Sequence, residues 1–183
     1  KDSYCTKAGV TTKRLFHITG KKGAGKTLLL SWLSESYITT EVKMHLEKAL
    51  AAGAFPASTI PSHFWWTPDM LELCHRAIRD VTTVFITGLY HTSELAYFSK
   101  VFEVHSIGIH VDDQTRHARI AARDGITPEE IRFKDMKRDG TAPGYERSDI
   151  NGLLRSSEVF LSNAGTVQDF FREYLLLREY LAS

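Results

Sequence analysis

The residues best equipped for chemistry lie in one run, Gly20-Lys21-Lys22-Gly23-Ala24-Gly25-Lys26-Thr27. They fit the spacing G-x-x-x-x-G-K-[ST]. Glycines let a backbone curl until successive N–H groups point inward at phosphate oxygens. The helix that follows such a loop offers its positive dipole end to the same oxygens. In that arrangement Lys26 places a cation on the β- and γ-phosphates of a nucleoside triphosphate, and the Thr27 hydroxyl is suited to hold Mg²⁺. Gly20, Gly23, Ala24, Gly25, Lys26 and Thr27 are therefore expected to bind the nucleotide, Lys26 also being a catalytic candidate.

A second group of charges spans Asp112 to Gly140, where Arg116, Arg119, Arg123, Arg132 and Arg138 are interleaved with Lys134 and Lys137. The spacing i, i+3, i+7 predicts that Arg116, Arg119 and Arg123 share one helix face. Two readings stand. Cations can close over a triphosphate and neutralise charge on a transferring group, a task to which the planar guanidinium is suited. Alternatively the segment is a solvated face balanced by Asp124, Glu129, Glu130 and Asp135. Its place after a strand, at the rim where α/β sheets bind ligands, favours the first.

Other residues invite plainer readings. His17 is expected as a buried, hydrogen-bonded strand histidine. Phe64, Trp65 and Trp66 could stack a ligand or plug an irregular segment. His105 and His110 have no metal-site spacing with either cysteine, Asp112-Asp113 is more simply a helix cap than a metal anchor, and Cys74 belongs to the core.

The phosphate-binding run needs a strand before it and a helix after it. Arg14–Thr19 is rich in strand formers, and Leu28–Leu33 is material for a buried helix. Further along, helices are expected over 40–52, from Pro68 with Thr67 as cap, over 92–100, from Asp112-Asp113, and from the capping box Thr127-Pro128-Glu129-Glu130. Strands are expected over Val81–Thr87, Val104–Val111 and Glu158–Ser162. A last helix begins near Gly165, with Val167, Phe170, Phe171, Tyr174, Leu177 and Leu181 as one apolar stripe. This alternation predicts an α/β fold of three layers, a parallel sheet with helices on both faces. Four strands are clear. A fifth belongs between Leu33 and Thr40, where the chain looks too short for it unless residues are missing near Tyr37.

Composition agrees with such a domain. The chain has 183 residues, 43% of them hydrophobic and 25% charged, enough to bury a full core. A net charge of +1 gives no general reason to expect nucleic acid as the main partner. Two cysteines without CxxC spacing argue against a disulfide scaffold and for an intracellular, reducing compartment. No apolar run approaches the roughly 18 residues of a membrane span. The chain starts at Lys1, which leaves a removed targeting segment open.

From Arg14 onward the sequence resembles the nucleoside-monophosphate-kinase branch of P-loop proteins, with adenylate-kinase-like and dephospho-CoA-kinase-like features. The resemblance rests on Gly20–Thr27, on Gly53-Ala54-Phe55-Pro56 in a flap, on Asp113–Arg123 leading into a lid, on Arg123–Glu130, and on Ser162-Asn163-Ala164-Gly165-Thr166 in a base-binding loop. It implies a P-loop NTPase fold in one domain over 14–183 after a lead-in over 1–13, with a monophosphate-binding flap at about 38–66 and a small helical lid at about 123–147. It implies ATP and Mg²⁺ as cofactors, a nucleoside monophosphate or nucleotide-like acceptor as partner, and γ-phosphoryl transfer as the activity. Lys26 would contact the transferred group. Arg119 would stack on adenine or hold phosphate, Arg123 and Arg138 would stabilise the transition state, and Asn163 and Gly165 would border the base. Two positions depart from the pattern. Thr87 stands where an acid is usual, and Tyr90 or His91 stands where an arginine is usual. They motivate an alternative: a catalytically weakened nucleotide-binding protein serving as a structural or regulatory subunit.

Overall fold

The computed structural model describes residues 12–52, 66–146 and 148–182. Five strands form one sheet: β1 (Arg14–Thr19), β2 (Ile38–Glu41), β3 (Thr83–Thr87), β4 (Glu103–His110) and β5 (Val159–Ser162). Their order is β2-β3-β1-β4-β5 and every pairing is parallel. Among the described residues eight helices connect and cover them: α1 (Lys26–Leu33), α2 (Val42–Ala51), α3 (Pro68–Ile78), α4 (Thr92–Phe98), α5 (Asp113–Asp124), α6 (Pro128–Arg138), α7 (Ile150–Arg155) and α8 (Val167–Ala182).

The central strand shows why the sheet is buried on both sides. Along β1, Leu15 packs into a core with Leu71, Cys74, Ile78 and Phe98 of α3 and α4. Phe16 and Ile18 pack into the opposite core with Leu29 and Leu33 of α1 and Phe170, Tyr174 and Leu177 of α8. Strands enclosed on both faces are apolar throughout, which is the signature of a parallel sheet. Cys74 is fully buried, and burial pushes its thiol up to about 12, so it behaves as a small hydrophobe. Among the described residues no helix is long and apolar enough to cross a membrane.

Several expectations need adjusting. The fifth strand exists and needs no extra residues: Ser36 and Tyr37 turn directly off α1 through N–H bonds to Leu33 O, and β2 follows. Thr40 and Glu41, read from sequence as the start of a helix, are its last residues. The region expected as a flap thus begins as an edge of the sheet, and its part over 53–65, with Phe64 and Trp65, lies outside the described residues. Helix α7 was not foreseen. Six residues interrupted by Gly152 carry little periodicity, yet Asp149 caps them by accepting from Gly152 N. On α8, Phe170, Tyr174, Leu177 and Leu181 are buried, while Val167 and Phe171 turn outward.

Candidate functional site

Strand β1 delivers the chain to the carboxyl edge of the sheet at Thr19, and the Gly-rich loop turns it into α1. Gly23 (φ 84°) and Gly25 (φ 103°) adopt left-handed backbone that side chains strain to reach. Space excludes larger residues too, since a Cβ at Gly23 would lie 2.8 Å from Ile120 Cγ1. Helix α1 begins at Lys26 with no side chain capping its first turn. Its leading N–H groups are thereby left for an anion, which the dipole also favours.

Lys26 folds back over this loop, its Nζ donating to Gly20 O (2.5 Å) and Lys21 O (2.9 Å). Burial, and then the charges of Arg138 and Arg116, bring its pKa down to about 7, against the opposing influence of Glu41. Burial is the larger cause; the Arg138 and Arg116 charges add positive potential at Lys26, which a polyanion relieves.

The loop forms one wall of a cleft of about 730 Å³. At one end lie Asn163, Gly165 and Thr166 between β5 and α8. Asn163 Nδ2 donates to Ala24 O (2.8 Å), and Arg119 donates to Asn163 O (2.7 Å) and Gly165 O (2.8 Å). Arg119 therefore braces the loop expected to border the base while lining the same cleft. At the other end lie Glu41, Thr87, Gly88, Tyr90, Arg138 and Ile150. Lys26, Arg123, Arg138, Thr27, Gly20, Gly23 and Gly25 all line the cleft, and Ala24 is buried in the turn beneath it.

The arginines divide. Arg119 and Arg123 face the cleft as their spacing predicts, Arg123 being paired with Asp124. Arg116 does not. It is fully buried and donates to Asp113 (2.6 Å), Asp135 (2.5 and 2.9 Å) and Lys22 O (3.2 Å), joining α5, α6 and the phosphate-binding loop. Its guanidinium fills the space among Asp113, His117 and Asp135 that a metal ion would need. Arg132 pairs with Glu129 at the surface, and Lys137 lies over the rings of Phe133 and Tyr145.

The two departures have structural answers. Thr87 Oγ1 donates to Ile18 O (3.0 Å), tying β3 to β1. A carboxylate stands on the adjacent strand instead: Glu41 is the Cα partner of Thr87 and lines the cleft. Sequence reasoning missed Glu41 because it placed that residue inside a helix. His91 is occupied as the cap of α4, accepting from Ser93 N (3.1 Å), and does not reach the cleft. Buried Glu94 accepts from the backbone N–H of Trp66 (2.8 Å), Tyr90 (2.6 Å) and His91 (3.2 Å), and burial raises its pKa. Trp66 Nε1 donates to Gly88 O (2.5 Å). These bonds fix the loop after β3 that presents Tyr90. Asp112 caps α5 through Thr115 N (2.8 Å), as the simpler reading had it. His17 is fully buried as expected, but neither ring nitrogen has a hydrogen-bond partner among the described residues.

No protein-family model matches the sequence, and the comparison with curated proteins finds no relative. Solved structures do resemble it. A protein from Thermus thermophilus superposes with a TM-score of 0.59 at 15% identity, covering 93% of this chain and 97% of the other. Shikimate kinases from Bacteroides thetaiotaomicron (TM-score 0.58, 14% identity, 93% and 99% covered) and Aquifex aeolicus (0.54, 14%, 92% and 98%) do likewise. The chain has the fold of the P-loop NTPase kinases, an α/β fold with a five-stranded parallel sheet flanked by helices.

Proposed function

We propose that the protein is an ATP-dependent small-molecule kinase. The observation that carries this reading is the placement of Lys26 at the start of an uncapped helix, inside a glycine turn, with Arg123 and Arg138 lining the same cleft. The turn and the helix start hold the triphosphate, and Asn163, Gly165 and Arg119 border the base. Glycine-specific space and unclaimed amides fit a polyphosphate, while the Thr27 hydroxyl and Glu41 carboxylate are oxygen donors suited to Mg²⁺ and its waters. Bound there, Mg²⁺ would neutralise charge on the β- and γ-phosphates.

The chemistry asked of the chain is positioning and charge stabilisation. An oxygen of the acceptor forms a bond to the γ-phosphorus as the bond to the bridging oxygen of ADP breaks. Lys26, Arg123 and Arg138 stabilise the charge that spreads over the transferring group. Glu41, beside the acceptor end, takes the proton when the acceptor is a hydroxyl. From the sequence resemblance the acceptor is a nucleoside monophosphate or a nucleotide-like molecule.

A coupled assay for ADP release across an acceptor panel tests the proposal. Acceptor-dependent release supports it. Tight ATP binding with no acceptor-dependent release would instead support the weakened, regulatory reading, which Thr87 motivates and Glu41 weighs against.

A further inference from the structure

Helices α5 and α6 close on the same three residue types, Arg123-Asp124-Gly125 and Arg138-Asp139-Gly140. Gly125 (φ 65°) and Gly140 (φ 70°) carry the chain away in left-handed backbone. Both arginines line the cleft. Both aspartates meet the phosphate-binding loop, and they do so at adjacent lysines. Lys22 Nζ donates to Asp124. The same carboxylate accepts from Arg123 Nε and Nη2 (2.6 and 3.1 Å), and Nη1 of Arg123 has no partner among the described residues. Lys21 Nζ lies 3.3 Å from Asp139 and 4.0 Å from Asp113. The Asp139 side chain is 15% exposed, and its Oδ1 has no hydrogen-bond partner among the described residues. An acid at a helix C-terminus opposes the helix dipole. Neither aspartate therefore serves its own helix; what each gains is a lysine of the loop.

Resting on the kinase reading, and within it on the triphosphate site alone, we propose that Lys21–Asp139 and Lys22–Asp124 are two struts by which the phosphate-binding loop positions Arg138 and Arg123 against the γ-phosphate. Each strut grips the residue next to an arginine in sequence, so loop and guanidinium keep one spacing. Lys21, Lys22, Asp124 and Asp139 are thus positioning residues that act through the two arginines. The device matters because a misplacement of about 1 Å costs a transfer reaction roughly a hundredfold. It also divides the labour of recognition. The loop amides serve any polyphosphate, whereas the arginines, set at one distance from the loop, read the terminal phosphate that ATP has and ADP lacks.

The test is calorimetry of the full chain with Mg²⁺ and either ADP or β,γ-imido-ATP, whose γ-phosphate is not transferred. The parent should prefer the triphosphate. Asp124→Asn and Asp139→Asn should each cut that preference about tenfold, the effect of one charge-assisted hydrogen bond, with ADP affinity near parental. Charge alone predicts the opposite sign, since removing an anion beside a polyanion strengthens its binding. In the Arg123→Ala background Asp124→Asn should cost nothing further, and likewise Asp139→Asn in the Arg138→Ala background. Should Asp139→Asn fail to fold, Lys21→Gln breaks the same strut from the loop side and is read against Arg138→Ala in the same way. A preference that is unchanged or greater in the aspartate variants overturns the struts, as does a loss that persists without the arginine. A parent that binds both nucleotides alike overturns the inference and leaves a nucleotide site; a parent that binds neither overturns the reading beneath it as well. The readout needs no acceptor and no transfer, so failure of acceptor-dependent ADP release is a separate result.

Discussion

Glu41 and Thr87 stand side by side at the carboxyl ends of β2 and β3, paired in register, so the carboxylate of the cleft comes from the edge strand. Thr87 is spent on Ile18 O. Replacing Glu41 by Gln keeps the shape and removes the negative charge. If Glu41 takes the acceptor proton, kcat should fall about 10²- to 10⁴-fold, the usual share of a general base. Affinity for ATP without Mg²⁺, followed by fluorescence titration, should stay near that of the parent. A variant with parental kcat would remove Glu41 from the mechanism.

Lys26 predicts a pH dependence. In the unliganded protein its pKa lies at about 7, lowered by burial and by Arg138 and Arg116. Phosphates beside it favour the charged form, so its pKa is higher in the complex than in the free protein. The linkage follows from that order: the favourable contribution to ATP binding is fully present below about pH 7 and is lost as pH rises through the bound-state value. Calorimetry near pH 8 in buffers of different ionisation enthalpy should show proton uptake on binding. Lys26→Met should abolish that uptake together with nearly all turnover.

Much of this arrangement was legible in the sequence because local chemistry dictates it. The glycine spacing around Lys26 and the caps at Thr67, Asp112 and Thr127 are each decided within a few residues, and each appears in the structure. The pieces that were not legible depend on distant partners. Thr40 and Glu41 adjoin a helical pattern, and only pairing with Ile86 and Thr87 makes them strand. Helix α7 is too short for periodicity and is anchored by Asp149 N donating to Tyr90 O (2.7 Å), a contact across the fold. Arg116 has the same helical spacing as Arg119 and Arg123; what turns it inward is Asp135, nineteen residues away on α6.

Arg116 should be the arginine whose loss damages the fold most. It is fully buried and shared between Asp113 and Asp135, the latter with 12% side-chain exposure. Arg116→Leu leaves Asp135 with little to replace the guanidinium, and removing one partner of a buried pair costs roughly 3–5 kcal/mol. Chemical denaturation should show a loss of that order. Arg132→Leu, which breaks only a surface pair with Glu129, should stay within about 1 kcal/mol of the parent.

Gly25 and Asn163 predict a non-additive pair. A Cβ at Gly25 would lie 2.5 Å from Asn163 Nδ2, on a backbone with φ of 103°. Gly25→Ala therefore meets the left-handed conformation, at roughly 1–2 kcal/mol, the amide of Asn163 and, less tightly, the ring of Phe170. Asn163→Ala alone gives up the bond to Ala24 O, at about 1 kcal/mol. In the double variant the clash with Asn163 is gone, while the tight contact with Phe170 Cε1 (3.1 Å) and the conformational obstacle remain. Its destabilisation should be smaller than the sum of the two single effects, in a denaturation cycle on all four proteins. ATP titration separates the two causes. Gly25→Ala should still bind poorly in the double variant, because the turn that aims the amides at phosphate is strained whether or not Asn163 is present. Recovery of parental affinity there would mean that the clash, and not the backbone conformation, makes Gly25 necessary.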